Sequence, residues 1–273
     1  VSTKQDVLAL IEQNYPNLSP SARSIANYLQ QYPLAIVSQT SADIAEQTNT
    51  SKATVSRFFR QLGFESHQDA KQAQLALRES GVPVAIQSVG NFDQTAQEFK
   101  NLSLTFEGLR PELLDDVSKK LATASRVTLI GFRNAYPLAL HFRQQLQQIR
   151  SSVRLLPMPG QTLGEDLYDI SEDEVVVLFG FRRRTHLFKK IVSALEGKTT
   201  LLITDPTGQV YNQQVSHVLV CHIGGETPFD SYAAPMSLIS MLSNQVYSHM
   251  GEQAHKRTQA ISNLYDELGE LEP

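Results

Sequence analysis

No acid occurs between Gln47 and Phe64, and the twenty residues around that gap, SADIAEQTNTSKATVSRFFR (41–60), leave the chain few ways to fold. Ser41 is placed to cap a helix, its hydroxyl taking a free backbone N–H. Ile44 and Ala45 give that helix an inward face. Thr48-Asn49-Thr50 is a break, and Asn49 tolerates the left-handed backbone that a tight turn needs. Ser51 is placed to cap a second helix, with Val55, Phe58, Phe59 and Leu62 spaced to form its buried face. Gly63 supplies the stop. Ala45 is small, as the closest approach of two steeply crossing helices requires. The pattern is helix, tight turn, helix.

The outward face of the second helix holds Ser51, Lys52, Ala53, Ser56, Arg57 and Arg60, with three positive charges. DNA phosphates repel carboxylates and release counterions to Lys and Arg. The first residues of a recognition helix meet base edges, while flanking charges fix register on phosphates. The same spacing suits a small helical interaction domain with no nucleic acid; the acid-free basic face favours double-stranded DNA. Residues 1–80 balance seven Lys/Arg against seven Asp/Glu, so the basic character is local to this helix. Modest non-specific affinity and a need for dimerisation follow.

Further apolar residues at helical spacing give helices over 4–14 and 20–31, with Ser19-Pro20 as cap and first turn, and another over 67–78 capped by Ser66. Residues 1–78 are thus expected to form an all-α helix-turn-helix domain, and 79–90 (ESGVPVAIQSVG), which lose the period, a linker. Residues 91–273 begin with two helices near 91–108 and 112–124, and then the period changes. Short runs rich in Val, Ile and Leu at 126–132, 153–158, 175–181, 200–204 and 217–222 alternate with helical segments at 134–149, 185–196 and 232–250. Such alternation implies parallel pairing through crossovers: an α/β doubly wound domain with a five-stranded parallel sheet. A ligand in such a fold sits beyond the carboxyl ends of the strands, where the strand order reverses.

Composition sets the outer bounds. The chain has 273 residues, a net charge of -4 and 41% hydrophobic residues. The single cysteine, Cys221, excludes an internal disulfide and a Cys-based zinc site, and its setting HVLVCHI reads as a buried strand, with a redox sensor as the other reading. No apolar run approaches the ~18 residues of a membrane span, and no signal peptide is evident, so a cytoplasmic protein without membrane contact is expected. The chain starts at Val1, the initiator Met being removed or left out of the numbering. No pair of histidines has metal-ligand spacing with a carboxylate on the same helix face, so neither metal nor cofactor is expected.

The chain resembles the RpiR family of bacterial transcription regulators, whose second domain has the sugar isomerase, or SIS, fold. The N-terminal part carries the more specific match, with Ala45, Ser51, Thr54, Val55, Arg57, Phe58, Leu62, Gly63 and Phe64 in place. The resemblance implies a homodimer or tetramer that binds palindromic operators, its binding modulated by a small metabolite, commonly a phosphorylated sugar. The second domain departs from the family pattern. A usual Gly-x-Gly-x-Ser turn after the first strand is here Gly131-Phe132-Arg133-Asn134-Ala135. A usual Ser-x-Ser-Gly-x-Thr after the third is Gly180-Phe181-Arg182-Arg183-Arg184-Thr185, with only the threonine kept.

Four arginines, Arg133, Arg182, Arg183 and Arg184, therefore lie on two turns. In a sheet of order 2-1-3-4-5 both turns open at the switch point. Side-chain alternation predicts that some but not all of the four converge. They read as an anion site of guanidinium groups, or else as solvated loop charges or partners of acids on another subunit. Thr185 and His186 can reach the same pocket. Asn134 and Tyr136 can hydrogen-bond a polar ligand, and Glu226, Ser231 and Tyr232 precede the long helix that would rim it. The leading expectation is a DNA-binding regulator, not an enzyme, whose SIS-like domain senses a small anionic metabolite, phosphosugar or carboxylate. The alternatives are a sugar-phosphate isomerase with a helical appendage, using Glu226, Glu165 or His186, and a dimeric DNA binder without ligand.

Overall fold

The computed structural model describes residues 6–32, 35–80, 93–224 and 229–271. Contacts divide the chain near Gln94 into an N-terminal helical unit and an α/β unit that runs on to the last helices. The expected linker at 79–90 lies, from residue 81 onward, outside the described residues.

The N-terminal unit contains α1 (Val7–Asn14), α2 (Pro20–Gln31), α3 (Ala35–Ser38), α4 (Ser41–Gln47), α5 (Lys52–Gln61) and α6 (His67–Ser80). Residues 4 and 5, read as the start of the first helix, lie outside the described residues. A 3-10 turn at Tyr15–Asn17 and the four-residue α3 were not expected; both are too short to show a hydrophobic period. Ser19 caps α2 and Ser51 caps α5 as anticipated. Thr40, not Ser41, caps α4. Its hydroxyl accepts from the Asp43 N–H, and the Asp43 carboxylate accepts from the Thr40 N–H at 2.8 Å. That reciprocal box needs an acid three residues on, which Thr40 has and Ser41 lacks. The Thr40 N–H, then its hydroxyl, hold the Asp43 carboxyl below its ordinary range. Ser41 instead places its hydroxyl 3.2 Å from His67 Nδ1.

The turn between α4 and α5 bends as its residues require, with Asn49 at φ 50° and Gly63 closing α5 at φ 97°. Val55, Phe58, Phe59 and Leu62 are all buried, packed in one core with Ile25, Leu29 and Ile44. Burying each such side chain contributes about 1.5–3 kcal/mol. His67 joins this core: Nε2 lies 2.9 Å from the Ile36 carbonyl, and the ring stacks on Phe59 with centroids 4.8 Å apart. Burial pushes its pKa below the ordinary histidine value.

The second unit is a five-stranded parallel sheet of β1 (Val127–Gly131), β2 (Val153–Leu156), β3 (Val175–Gly180), β4 (Thr199–Thr204) and β5 (His217–Val220), in the order β2-β1-β3-β4-β5. The helices are α7 (Gln94–Glu107), α8 (Pro111–Thr123), α9 (Ala135–Ile149), α10 (Gly164–Tyr168), α11 (Phe188–Ala194), α12 (Ala233–Met250) and α13 (Glu252–Leu268). Alternate residues of β3 feed two cores. Val175, Val177 and Phe179 face α8, α9 and α12; Val176 and Leu178 face α11. This two-sided burial explains why the strands read as unbroken apolar runs. Helix α11 starts at Phe188, three residues later than its sequence pattern suggests, because the Thr185 carbonyl is spent on a turn that accepts the Phe188 N–H.

Arginines hold the amino ends of the strands together. Glu174, 2% exposed, lies 3.2 Å from Arg126 and 3.5 Å from Arg154, and Thr128 donates to it at 3.0 Å. Arg150 is buried without a carboxylate; its guanidinium donates to the carbonyls of Leu121, Ala124 and Ser151 and closes the C-terminal end of α8. Burial pushes its pKa down. Cys221 is fully buried as expected but stands one residue past the end of β5, its N–H donating to the Thr204 carbonyl, and burial drives its thiol pKa upward. No helix among the described residues is long and apolar enough to cross a membrane.

Candidate functional site

Strands β1 and β3 are neighbours, and each ends in a glycine that nothing larger could replace. A β-carbon on Gly131 would stand 2.6 Å from the Ala135 carbonyl oxygen, and one on Gly180 would strike the Phe188 ring. Both turns therefore start tight against the helix that follows. Each then passes through a left-handed arginine, Arg133 at φ 54° and Arg183 at φ 70°. That backbone costs a residue bearing a Cβ about 1 kcal/mol. Arg133 keeps the left-handed turn at the position where the family pattern has its second glycine. Strain of this kind clusters where a site needs a fixed geometry.

The two turns enclose an open cleft of about 380 Å³, part of it solvent space. All four arginines contribute to its wall, with Asn134, Thr185 and several aromatic side chains. Strand-like alternation had predicted that the four would not share one pocket. Alternation stops at Gly180, and the left-handed Arg183 swings the chain so that its neighbours border the same space. The four are not equivalent. Arg184 is pinned: it lies 2.6 Å from Asp205, donates to Thr204 at 2.8 Å and Thr207 at 3.0 Å, and its guanidinium stands over the Phe188 ring. Gly208 makes room for this clamp, since a β-carbon there would meet Thr204 and Arg184. Among the described residues Arg133 and Arg183 have no carboxylate partner, and the Arg133 guanidinium reaches the Arg183 carbonyl at 3.5 Å. Two buried polar atoms on the wall lack any partner, Arg184 Nε and the Thr185 hydroxyl.

Tyr232 closes the rim, its ring edge-on to Phe181 at 5.6 Å. Burial pushes its phenol pKa upward, against a hydrogen bond to Asn134 and the charges of Arg182 and Arg183. Of the other residues singled out in the sequence, Tyr136 sits further along α9 and does not line the cleft. His186 is exposed outside it. Ser231 donates to Glu98 at 2.7 Å, which occupies its hydroxyl. Glu226 lies outside the described residues. Phe132, Ala135, Phe179, Phe181 and Phe188 belong to the wall and were missed. They read as ordinary core residues, and only their place beside the strand ends marks them. Among the described lining residues there is no carboxylate and no histidine, the groups that would move a proton between adjacent carbons. No cluster suited to a metal ion occurs among the described residues.

On the N-terminal unit, Ser51, Lys52, Ala53, Arg57 and Arg60 of the α5 region are exposed and Ser56 is half-buried. Arg57 folds back toward Ala53 and Thr54, at 3.3 and 3.4 Å, and Arg60 toward the Glu65 carbonyl. None of the three cations has a carboxylate within ion-pair distance among the described residues. Their charge is presented outward.

Comparison with known proteins bears on both units. An uncharacterized HTH-type transcriptional regulator of Caldanaerobacter subterraneus subsp. tengcongensis is 27% identical over 139 residues, 46% of this chain and 48% of that protein. The match thus spans about half the length of that relative. The sugar isomerase domain of an RpiR transcription factor from Sphaerobacter thermophilus superposes with a TM-score of 0.58 at 17% identity, over 62% of this chain and 96% of that one. The Vibrio vulnificus NanR protein, complexed with ManNAc-6P, superposes with a TM-score of 0.55 at 18% identity, over 96% of this chain and 98% of that one. At these identities the two structures show the fold. Residues 5–78 match the family model of an rpiR-family helix-turn-helix domain, and residues 120–244 match that of a SIS domain. The two matches stand in this order and together cover most of the chain, an rpiR-family helix-turn-helix domain followed by a SIS domain.

Proposed function

We propose that this chain controls transcription by binding a palindromic operator through α5, and that a small anionic metabolite in the β1/β3 cleft modulates the binding. The observation that carries the reading is the pairing of two cationic surfaces, Lys52, Arg57 and Arg60 on a helix-turn-helix and Arg133 and Arg183 at a sheet switch point, none of these five having an ion-pair partner among the described residues. Lys52 and Arg60 would sit on phosphates, with Ser51, Ala53, Ser56 and Arg57 toward base edges. Because residues 1–80 carry no net charge, two heads are needed for tight binding, and a homodimer or tetramer supplies them. The ligand acts by binding one arrangement of the heads more tightly than another. The ManNAc-6P bound to NanR supports a small-molecule effector for this fold.

Fluorescence anisotropy on the protein's own upstream DNA tests the first half. The double variant Lys52→Ala/Arg57→Ala is expected to lose at least tenfold in affinity, with a salt dependence shallower by about one per head from the lost Lys52 phosphate contact. Specific binding that survives both changes would sink the operator reading. For the second half, Arg133→Ala and Arg183→Ala should keep DNA binding and lose its response to effector. An unchanged response would identify these arginines as solvated loop charges.

A further inference from the structure

We infer that the cleft takes a small dicarboxylate with few or no hydroxyl groups, in preference to a sugar phosphate. This rests on the reading of the cleft as an anion site. The argument is an imbalance of donors over acceptors. Arg133 and Arg183 present guanidinium groups with no carboxylate partner among the described residues. Arg184 Nε and the Thr185 hydroxyl are buried at the wall without partners among the described residues; the first can only donate, and the second can donate or accept. Arginine has no acceptor to offer in return. Asp205, the acid that touches an arginine of the wall, is 3% exposed and already serves Arg184 and Thr207. Asn134, the one neutral amide on the wall among the described residues, turns its N–H to the Tyr232 phenol and leaves one carbonyl oxygen as acceptor.

A sugar ring brings several hydroxyls, and each must donate as well as accept. Every hydroxyl buried without an acceptor gives up its hydrogen bond to water and gains none in return, so two of them would offset a bidentate arginine contact. A carboxylate brings acceptors alone, in the spacing that matches a guanidinium fork. Two carboxylates are called for because the unpaired cations come from different turns, Arg133 after β1 and Arg183 after β3. A monocarboxylate would leave one of them unneutralised.

Isothermal titration of the full chain with succinate, butyrate and glucose 6-phosphate tests this. Succinate is expected to bind at least tenfold more tightly than either other probe. Arg133→Ala and Arg183→Ala should each cost succinate at least tenfold, with near-UV circular dichroism confirming an unchanged fold. Butyrate equal to succinate overturns the two-charge inference. Glucose 6-phosphate binding as tightly as succinate, lost in the arginine variants, overturns it while leaving the anion site intact. No binding by any probe, or binding indifferent to both arginines, overturns this inference and the anion site together.

Discussion

The amino ends of the sheet gather Arg126, Arg154 and Glu174, and the carboxyl ends gather Arg133, Arg182, Arg183 and Arg184. At the first end a buried carboxylate meets two guanidinium groups and a threonine hydroxyl. At the second, Asp205 serves Arg184, while Arg133 and Arg183 stand on left-handed backbone with no acid beside them. One sheet thus carries arginines that have their counter-charge built in and arginines that do not. The first arrangement is consistent with holding the fold, and the second costs the fold something, which a ligand would recover. If this distinction is right, substitutions at the two ends should move stability in opposite directions.

The largest effect belongs to Glu174→Ala. It removes the buried carboxylate that Arg126 and Arg154 share, leaving Arg154 with Asp166 alone and the Thr128 hydroxyl without its acceptor, and is expected to cost about 3 kcal/mol of unfolding free energy, read by urea denaturation. Operator binding by the folded fraction should be unchanged. A cost below about 1 kcal/mol would mean that the network is screened like a surface ion pair, and the contrast between the two ends would fail.

Arg150→Met probes an intermediate case, a buried guanidinium satisfied by carbonyls alone. The methionine fills the space of the stem but leaves the Leu121 and Ala124 carbonyls without donors, at a cost of about 2 kcal/mol. A neutral outcome in the same denaturation experiment would show that water replaces the guanidinium at the end of α8.

Arg183→Gly should have the opposite sign. Glycine adopts φ 70° without penalty, so the variant is expected to gain about 1 kcal/mol, while losing the effector response. A gain in stability coupled to a loss of response is the signature of strain kept for function. Loss of stability would show instead that the Arg183 side chain packs as part of the fold.

Much of this was legible in the sequence. The capped helices, the Asn49 turn and the Gly63 stop follow from side-chain chemistry within three or four residues, and the five parallel strands follow from the alternation of periods. Ser41 was mistaken for a cap because two neighbouring hydroxyls compete, and Asp43 decides between them through a contact that spacing alone resolves only once both partners are considered. The cleft was legible as a place but not as a surface. Nothing local tells Arg184 from Arg183; the difference is Asp205, which comes from the end of another strand and becomes a neighbour only through β3–β4 pairing. The aromatic wall was hidden for the same reason, since Phe181 and Phe188 follow the pattern of core residues.

The smallest effect comes from His217 at the start of β5, where the amino end of the sheet meets α8. Its Nε2 lies 3.3 Å from Asp116 without the alignment of a hydrogen bond, and the side chain is largely covered. Burial lowers its pKa, and the Asp116 charge offsets this only in part. The folded chain therefore holds the ring neutral at a pH where the unfolded chain, with an ordinary value near 6.5, already binds a proton. Stability from this group is complete above about pH 6.5 and falls as the solution is acidified toward the folded pKa. His217→Gln should flatten that part of the stability–pH curve, leaving the slope contributed by His67 in the helical unit, whose pKa is lowered in the same direction. The carboxyl end offers no counterpart, because guanidinium groups do not titrate in this range. An acid limb that is as steep in His217→Gln as in the parent chain would place the pH sensitivity outside the sheet, and the two ends would then differ in their ion pairs alone.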